Sequence, residues 1–431
     1  MSNVTARPLA AIITLGCKLN LADSEEIARG LGAAGFDVCD TLAEADAYVL
    51  NTCSVTHVAD QKSRRLIRSA RRLSPGAVVT VTGCYPQSAG YDRVRELGAD
   101  LVTGTRDQDK GELLGFITGR VEAQPAPAAA PATLHTRQFI KAQEGCNDVC
   151  AFCIVPRTRH REESRTPARV VEEVAAAVEN GAREVVITGT QLGAWGRDLD
   201  PPRAPHELIA AILEETEVPR LRFSSLQPQD ITPELLALWD DPRLMPHFHL
   251  ALQSGSDAIL EAMRRRYTAA EYRDAAARIH AAVPGAAITT DVIAGFPGET
   301  GEDFEATLRM CREAAIARIH AFPYSQRAGT GAARMRGQLP PETTKSRVRA
   351  LMDLGRDLAA THAATHQGAR RPVLWEDRVE THDGPRWHGY TDNYISVYAD
   401  TVADLRNRIT PAVLGGPFRE GVAATPMGVA S

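Results

Sequence analysis

Three cysteines define the chemistry this chain can do. Cys146, Cys150 and Cys153 lie in the run Gly145-Cys146-Asn147-Asp148-Val149-Cys150-Ala151-Phe152-Cys153, a C-x3-C-x2-C spacing with no fourth cysteine nearby. Three thiolates can hold three irons of a cubic iron–sulfur cluster and leave the fourth iron open to an outside ligand. A closed structural site takes four protein ligands. An open iron is what a cluster needs to bind and reduce a substrate. Four extended residues span at most about 13 Å, so the loop must curl to place three sulfurs on one small object. Gly145 and Asn147 suit that curl. The alternatives are a zinc knuckle, with His160 as the nearest fourth ligand, or idle buried cysteines.

A second set is scattered along the chain. Cys17, Cys53 and Cys84 each follow an apolar run that reads as a strand, at 9–15, 47–51 and 77–82. In a parallel sheet those three strand ends lie along one edge, where open α/β sheets bind ligands. Three successive loops then bring three thiolates together, and Gly16 and Gly83 allow close backbone approach. Placement alone leaves two readings open: small residues that happen to be cysteine, or a second three-thiolate cluster. Cys39, placed after a helix, and Cys311, inside a helical pattern, read as structural.

The elements that must position these residues fall into three parts. Residues 1–120 alternate strands (9–15, 47–51, 77–82, 100–103) with amphipathic helices (23–34, 58–73, 87–97, 107–118), which predicts an α/β domain on a parallel sheet. Residues 121–133 read as a Pro/Ala linker. Residues 134–367 carry strands near 137–142, 184–188, 220–224, 247–252, 286–292 and 317–322 with helices between them. Six βα units in succession predict a (βα)6-type complete or partial barrel, with its working groups at the C-terminal ends of the strands. Residues 368–431 hold extended runs at 373–380 and 394–399 with turn signals between, which predicts a small antiparallel β-barrel.

Composition narrows the class. The chain has 431 residues, 44% hydrophobic and 24% charged, enough for two to four globular domains. A net charge of −5 excludes a polycation, so any nucleic-acid contact must come from a local patch. The opening residues carry no signal-peptide pattern, and no stretch approaches the roughly 20 apolar residues of a membrane span. Eight cysteines without a secretory signal point to metal or redox work in a reducing compartment, hence the cytoplasm, with no membrane partner.

Seven stretches, in order, carry a resemblance: LGCKLNLADSE (15–25), NTCSVTHVADQKSRRLIR (51–68), TGCYPQ (82–87), EGCNDVCAFCIVPRTR (144–159), ITGTQLGAWG (187–196), LQSGSD (252–257) and TTDVIAGFPGET (289–300). Over nearly its whole length the chain resembles the radical S-adenosylmethionine (SAM) methylthiotransferases. The resemblance implies two 4Fe–4S clusters, an auxiliary one on Cys17, Cys53 and Cys84 and a radical-generating one on Cys146, Cys150 and Cys153. It also implies SAM as cofactor and an RNA-binding TRAM domain at 368–431. LGCKLN, NTCSVT and TGCYPQ are similar to the MtaB-type subgroup. That likeness implies sulfur insertion and methylation at C2 of N6-threonylcarbamoyladenosine in the tRNA anticodon loop by a 5′-deoxyadenosyl radical. An electron donor, such as a flavodoxin-type protein, and a sulfur source would be partners. The alternatives are the same chemistry on isopentenyladenosine in tRNA or on a ribosomal-protein aspartate, and a non-catalytic iron–sulfur or zinc RNA-binding redox sensor. Arg159-His160-Arg161-Glu162-Glu163-Ser164 departs from a more usual Arg-Gly-Arg run, and Gln227 stands where relatives often have Glu.

Further site residues are expected at strand ends. Thr188, Gly189, Thr190 and Gln191 could hold the methionine part of the cofactor. Asp291 to Phe296 could line the adenine pocket, and Gln253 sits at a third strand end. Each is otherwise an ordinary βα turn. Phe152 could cover the adenine or pack on the cluster. In the helix at 60–73, Leu66, Ile67, Ala70 and Leu73 are expected inward, leaving Lys62, Arg64, Arg65, Arg68, Arg71 and Arg72 outward, either as a solvated face or as a grip on phosphates. Trp387, Tyr390, Tyr394 and Tyr398 could stack on bases or fill the small barrel.

Overall fold

The computed structural model describes residues 7–123, 135–223 and 225–428, so most of the predicted 121–133 linker lies outside the described residues. The first part comprises β1 (Leu9–Thr14), α1 (Lys18–Ala33), β2 (Asp37–Cys39), β3 (Ala47–Thr52) and α2 (His57–Leu73). It continues through β4 (Val78–Gly83), α3 (Cys84–Ala89), α4 (Tyr91–Arg95), β5 (Leu101–Val102) and α5 (Asp107–Thr118). The strands pair in parallel in the order β2-β1-β3-β4-β5. All six residues of β3 are buried, as expected for a parallel strand covered on both faces. On one face Ile12 and Val49 pack with Ile27, Leu31, Leu113 and Ile117. On the other, Tyr48, Leu50 and Val81 pack with Ile67, Ala70 and Val94.

Three expectations need correction here. The three-residue β2 is too short to show periodicity, and Cys39 closes it instead of following a helix. The predicted helix at 87–97 is two helices broken at Gly90, whose φ of +92° suits glycine. Helix α1 begins at Lys18 and not at residue 23, which puts Cys17 at its N-cap.

The second part runs β6 (Arg137–Lys141), β7 (Gln143–Glu144), α6 (Val155–Thr158), β8 (Glu163–Ser164), α7 (Pro167–Glu179), β9 (Glu184–Thr188) and α8 (Pro205–Glu215). Then come β10 (Leu221–Phe223), α9 (Pro233–Leu236), β11 (His247–His249), α10 (Asp257–Ala262) and α11 (Ala269–Ala282). It ends with β12 (Ala287–Ala294), α12 (Gly301–Glu313), β13 (Arg318–Pro323) and α13 (Pro341–Ala364). All six expected barrel strands form, but as two parallel three-stranded sheets, β10-β9-β6 and β11-β12-β13. Isolated bridges, Leu221 to Leu244 and Leu226 to Leu250, span the seam. The seam is thin because β10 and β11 are only three residues each, shorter than predicted.

Strand alternation divides this domain into a dry outside and a polar inside. Ile140, Val185, Ile187, Phe223, Phe248, Ile288 and Val292 join the helix-covered core. The opposite positions are Arg137, Lys141, Glu184, Thr188, Arg222, His247, His249, Asp291 and His320. Helix α1 covers part of this inner face: Leu21 and Ala22 pack on Phe139 and Val186.

The third part holds β14 (Arg370–Thr381), β15 (Gly384–Thr391), β16 (Ser396–Ala399), β17 (Ile409–Phe418) and β18 (Gly421–Pro426), closed as β14-β15-β16-β18-β17. All its pairs are antiparallel except β16 with β18. Its aromatics are not a free stacking surface. Trp387 is in the barrel core and Tyr398 is buried. Tyr394 stacks on His247 at 4.5 Å, and Tyr390 stacks on Tyr394. The small barrel is thereby docked onto the central domain. Arg220 and Arg222 donate to the Thr391 carbonyl at 2.9 and 3.0 Å, and Arg222 also donates to that of Asp392 at 2.8 Å. Among the described residues no helix is long and apolar enough to cross a membrane.

Glu184 anchors that interface, 2.7 Å from Arg222 and 2.8 Å from Arg220. Burial opposes its ionisation, but Arg222 and Arg220 outweigh burial and hold its pKa down to about 2. A depressed carboxyl stabilises the fold above its unfolded value and loses that contribution as pH falls through the folded value. Wild-type stability should therefore drop between about pH 4.5 and about pH 2. The Glu184→Gln variant should be less stable at neutral pH and show a flatter acid limb in denaturant titrations. Parallel limbs would show that this pair contributes nothing.

Candidate cluster sites and their surroundings

The scattered trio Cys17, Cys53 and Cys84 meets at one sheet edge. Cys17 is exposed at the N-cap of α1, whereas Cys53 after β3 and Cys84 at the start of α3 are buried. Gly16 has φ +118°, and a Cβ there would lie 3.2 Å from the Cys53 sulfur. Gly83 has φ +97°, and a Cβ there would lie 2.2 Å from the Thr52 carbonyl oxygen. The three thiols are within electrostatic reach of one another. Burial pushes the Cys53 thiol up to about 11 and raises that of Cys84.

Cys146, Cys150 and Cys153 lie on the loop after β7. Gly145 has φ +75°, and a Cβ there would strike the Arg161 carbonyl at 1.9 Å, so the curl requires glycine. The Cys146 N–H donates to the His160 carbonyl at 3.3 Å. His160 itself sits at φ +65°, in the left-handed region that favours glycine. The N–H groups of Asp148 and Val155 donate to the sulfurs of Cys146 and Cys153, each at 3.4 Å. Arg265 donates to the Cys150 sulfur at 3.3 Å, and the Cys146 thiol donates to Gln191 Oε1 at 3.3 Å. Burial pushes Cys146 up to about 11 and Cys153 up to about 12.

Both trios fit iron–sulfur clusters. Thiols that weakly acidic ionise only where a metal takes them, and N–H donors aimed at sulfur are what cluster thiolates need. Among the described residues no three His, Cys, Asp or Glu side chains close on a single ion. Ligands of a cubane stand farther apart, each on its own iron.

One buried arginine lies between the trios. Arg159 follows α6, which packs on α3 and so on the Cys84 end of the Cys17 trio. Its guanidinium lies within electrostatic reach of the Cys84 thiol. It also donates to Glu144 at 2.7 Å, to Asn20 at 2.5 Å and to Asp23 at 3.2 Å. Lys141 joins Asp23 at 2.9 Å and Glu144 at 2.6 Å. Arg159 was noted in the sequence only as part of a departure. Two of its partners, Asn20 and Asp23, lie in another domain, and no local pattern announces them.

The other expected residues divide. Thr188 faces inward at the end of β9, and Gly189, against whose backbone Gln143 and Leu192 pack tightly, leads through Thr190 to Gln191 beside Cys146. Gln253 has φ +63° and donates from its backbone to the Asp291 carbonyl at 2.8 Å. The Asp291 carboxylate lies 3.3 Å from His249. Phe296 does not line an opening: it is fully buried with Ala151, Met263 and half-buried Phe152, behind the cysteine loop. Arg265 was missed, because Arg264-Arg265-Arg266 reads as surface charge. Gln227 accepts from it at 2.9 Å, while Glu163 is merely exposed in β8.

On α2 the inner face is Ser63, Ile67 and Ala70. Leu66 is only half-buried and Leu73 is 39% exposed, contrary to expectation. Ser63 takes a core place by donating to the Cys53 carbonyl at 3.1 Å. Lys62, Arg65, Arg68 and Arg72 are exposed, and Arg64 is half-buried. Arg71 is not free: it binds the carbonyls of Gly98, Pro75 and Ala77 and the Asp100 carboxylate. Together with Gln61 and Leu97, these arginines line an open groove of about 650 Å³.

Comparison with known proteins covers both sites. The radical SAM superfamily model matches residues 140–311, and that of an uncharacterized protein family, UPF0004, matches residues 10–104. The Bacillus subtilis threonylcarbamoyladenosine tRNA methylthiotransferase MtaB is 37% identical over 95% of this chain and 95% of its own. Its Aquifex aeolicus namesake is 34% identical over 90% and 95%. A tRNA-2-methylthio-N(6)-dimethylallyladenosine synthase of Streptomyces viridosporus is 38% identical over 80% and 72%. The radical SAM methyltransferase TsrM of Kitasatospora setae superposes with a TM-score of 0.53 at 16% identity over 73% of this chain and 72% of that one, a likeness of fold. The chain belongs to the radical SAM tRNA methylthiotransferases, enzymes that work with S-adenosylmethionine and two 4Fe–4S clusters.

Proposed function

We propose that this enzyme converts N6-threonylcarbamoyladenosine in the tRNA anticodon loop to its 2-methylthio form. Cys146, Cys150 and Cys153 hold the radical-generating cluster, and Cys17, Cys53 and Cys84 hold the second. The observation that carries this reading is the pair of thiol trios on either side of Arg159. Relatives named for threonylcarbamoyladenosine align over 85 to 95% of the chain, against 80 to 84% for the dimethylallyladenosine synthases, and this supports the choice of base.

When bound, SAM and the first cluster supply the 5′-deoxyadenosyl radical that opens the C2–H bond, and the second cluster holds the sulfur that is transferred and methylated. The chain's part is placement and exclusion of water. Arg265 and Gln191 fix two of the three thiols of the first trio. Helix α1 and the docked tail barrel cover the polar inner face. Thr188 to Gln191, Gln253 and Asp291 are the proposed cofactor contacts. Residues 368–431 act as a TRAM-like RNA-binding module. A flavodoxin-type electron donor and a separate sulfur source complete the reaction, in the cytoplasm and without a membrane partner.

Nucleoside mass spectrometry of tRNA from a deletion strain tests the substrate. Loss of the methylthio group from threonylcarbamoyladenosine alone is expected; its loss from isopentenyladenosine instead would overturn the assignment. The basic helix gives a second test. Arg65→Glu with Arg68→Glu should weaken tRNA binding roughly 10-fold or more at low salt and flatten its salt dependence. Arg71→Ala should lower thermal stability and leave the salt slope unchanged. Equal salt slopes for wild type and the double variant would remove α2 from the RNA path.

A further inference from the structure

We propose that Lys18 is the specificity residue of this site, its ammonium receiving the carboxylate of the substrate's N6 side chain inside the barrel. The inference rests on the threonylcarbamoyladenosine reading above and says how that base is told from an isopentenylated one.

Lys18 opens α1, directly after Cys17, and α1 lies against the inner face of β6 and β9. The charged and phenolic groups facing Lys18 are Tyr394, Arg137, Asp291 and Arg222. Among the described residues each of these already has a partner. Arg137 pairs with Glu376 at 2.6 Å and donates to the Tyr394 hydroxyl at 2.8 Å. Arg222 pairs with Glu184 at 2.7 Å, and Asp291 lies 3.3 Å from His249. Among the described residues Lys18 makes no hydrogen bond or ion pair. It is a lysine without a bonded partner on a polar wall, near two guanidiniums and the Asp291 carboxylate, which His249 already meets.

The chemistry of the two candidate bases differs where this cation stands. A threonylcarbamoyl group carries a carboxylate; an isopentenyl group is hydrocarbon. Taking a carboxylate out of water is costly unless a cation meets it, and such charge-assisted contacts are the strong ones. Hydrocarbon against the same ammonium would strip its water and return nothing, so the site rejects it. Position agrees. C2 and N6 flank N1 on one edge of adenine, so a base presenting C2 to the Cys17 trio brings its N6 side chain to the same neighbourhood, and Lys18 is the residue next to Cys17.

The test uses anaerobic holoenzyme and two anticodon stem-loops that differ only in the threonyl carboxylate, one free and one as its methyl ester. Wild type should prefer the free acid in kcat/KM by roughly 10- to 100-fold, mostly through KM. Lys18→Met should bring the ratio near one, and Lys18→Arg should restore most of it. Because each ratio is taken on one preparation, partial loss of clusters cancels. A wild-type ratio near one, or a wild-type ratio kept by Lys18→Met, overturns the role of Lys18 and leaves the substrate assignment standing. Turnover of an isopentenyladenosine stem-loop with none of the free acid overturns the substrate assignment itself.

Discussion

Replacing Cys150 with alanine is expected to abolish 5′-deoxyadenosine formation from SAM. Replacing Cys53 is expected to spare much of it while eliminating the methylthio product. The difference follows from placement. Cys150 belongs to the loop between Cys146 and Cys153, held by Arg265 at 3.3 Å and backed by Ala151 and Phe296. Two remaining thiolates cannot hold three irons, and without that cluster nothing delivers the electron that cleaves SAM. Cys53 belongs to the other domain, between Gly16 and Cys84. Its loss costs roughly half of the bound iron but leaves the first trio whole. Cys311 is buried in α12, away from both trios, and is the control: Cys311→Ala should keep full iron and sulfide. Anaerobic iron and sulfide assays with chromatography of deoxyadenosine decide the matter. Undiminished deoxyadenosine from Cys150→Ala would refute the assignment of the first trio. Unchanged methylthio product from Cys53→Ala would refute that of the second.

The loop spacing of Cys146, Cys150 and Cys153 is local and is read directly. Strand ends place Cys17, Cys53 and Cys84 on one edge, since parallel strands must finish there, but placement alone left a cluster and incidental cysteines both open, and only the family resemblance chose between them. What sequence could not show is contact across domains. Arg159 reaches Asn20 over a separation of 139 residues, and Tyr394 reaches His247 only because the tail barrel docks there. Periodicity also overreached on α2. It assigned Leu73 inward because leucine is apolar, although the last turn has left the sheet. It did not place Ser63 inward, although a small hydroxyl with a carbonyl partner fits the core. Arg71 fits the outward pattern yet bends back onto three carbonyls, a fate that depends on where the loop at 98–100 returns.

The second large effect concerns Arg159, whose loss should separate folding from chemistry. Its side chain is 1% exposed and meets Glu144, Asp23 and Asn20 as well as the Cys84 thiol. Arg159→Met would leave Glu144 with Lys141 alone and Asn20 Oδ1 with the 3.9 Å Cys17 contact. Breaking a buried pair from one side costs about 3–5 kcal/mol, which lowers the melting temperature by roughly 10 °C in domains of this size. Arg159→Lys keeps the charge but not the fork. A single ammonium cannot serve Glu144, Asn20 and the thiol together, so it should recover less than half of the loss. Because Arg159 joins the domain of the Cys17 trio to the loop of the Cys146 trio, iron at the Cys17 trio should also be released faster on exposure to a chelator. Calorimetry of the anaerobic enzyme and timed iron release measure the two effects separately. If Arg159→Met melts with wild type and holds its iron as long, the guanidinium is a bystander, and the contact between the domains must be maintained by the Lys141–Asp23 pair and the packing of Leu21 and Ala22 on Phe139 and Val186.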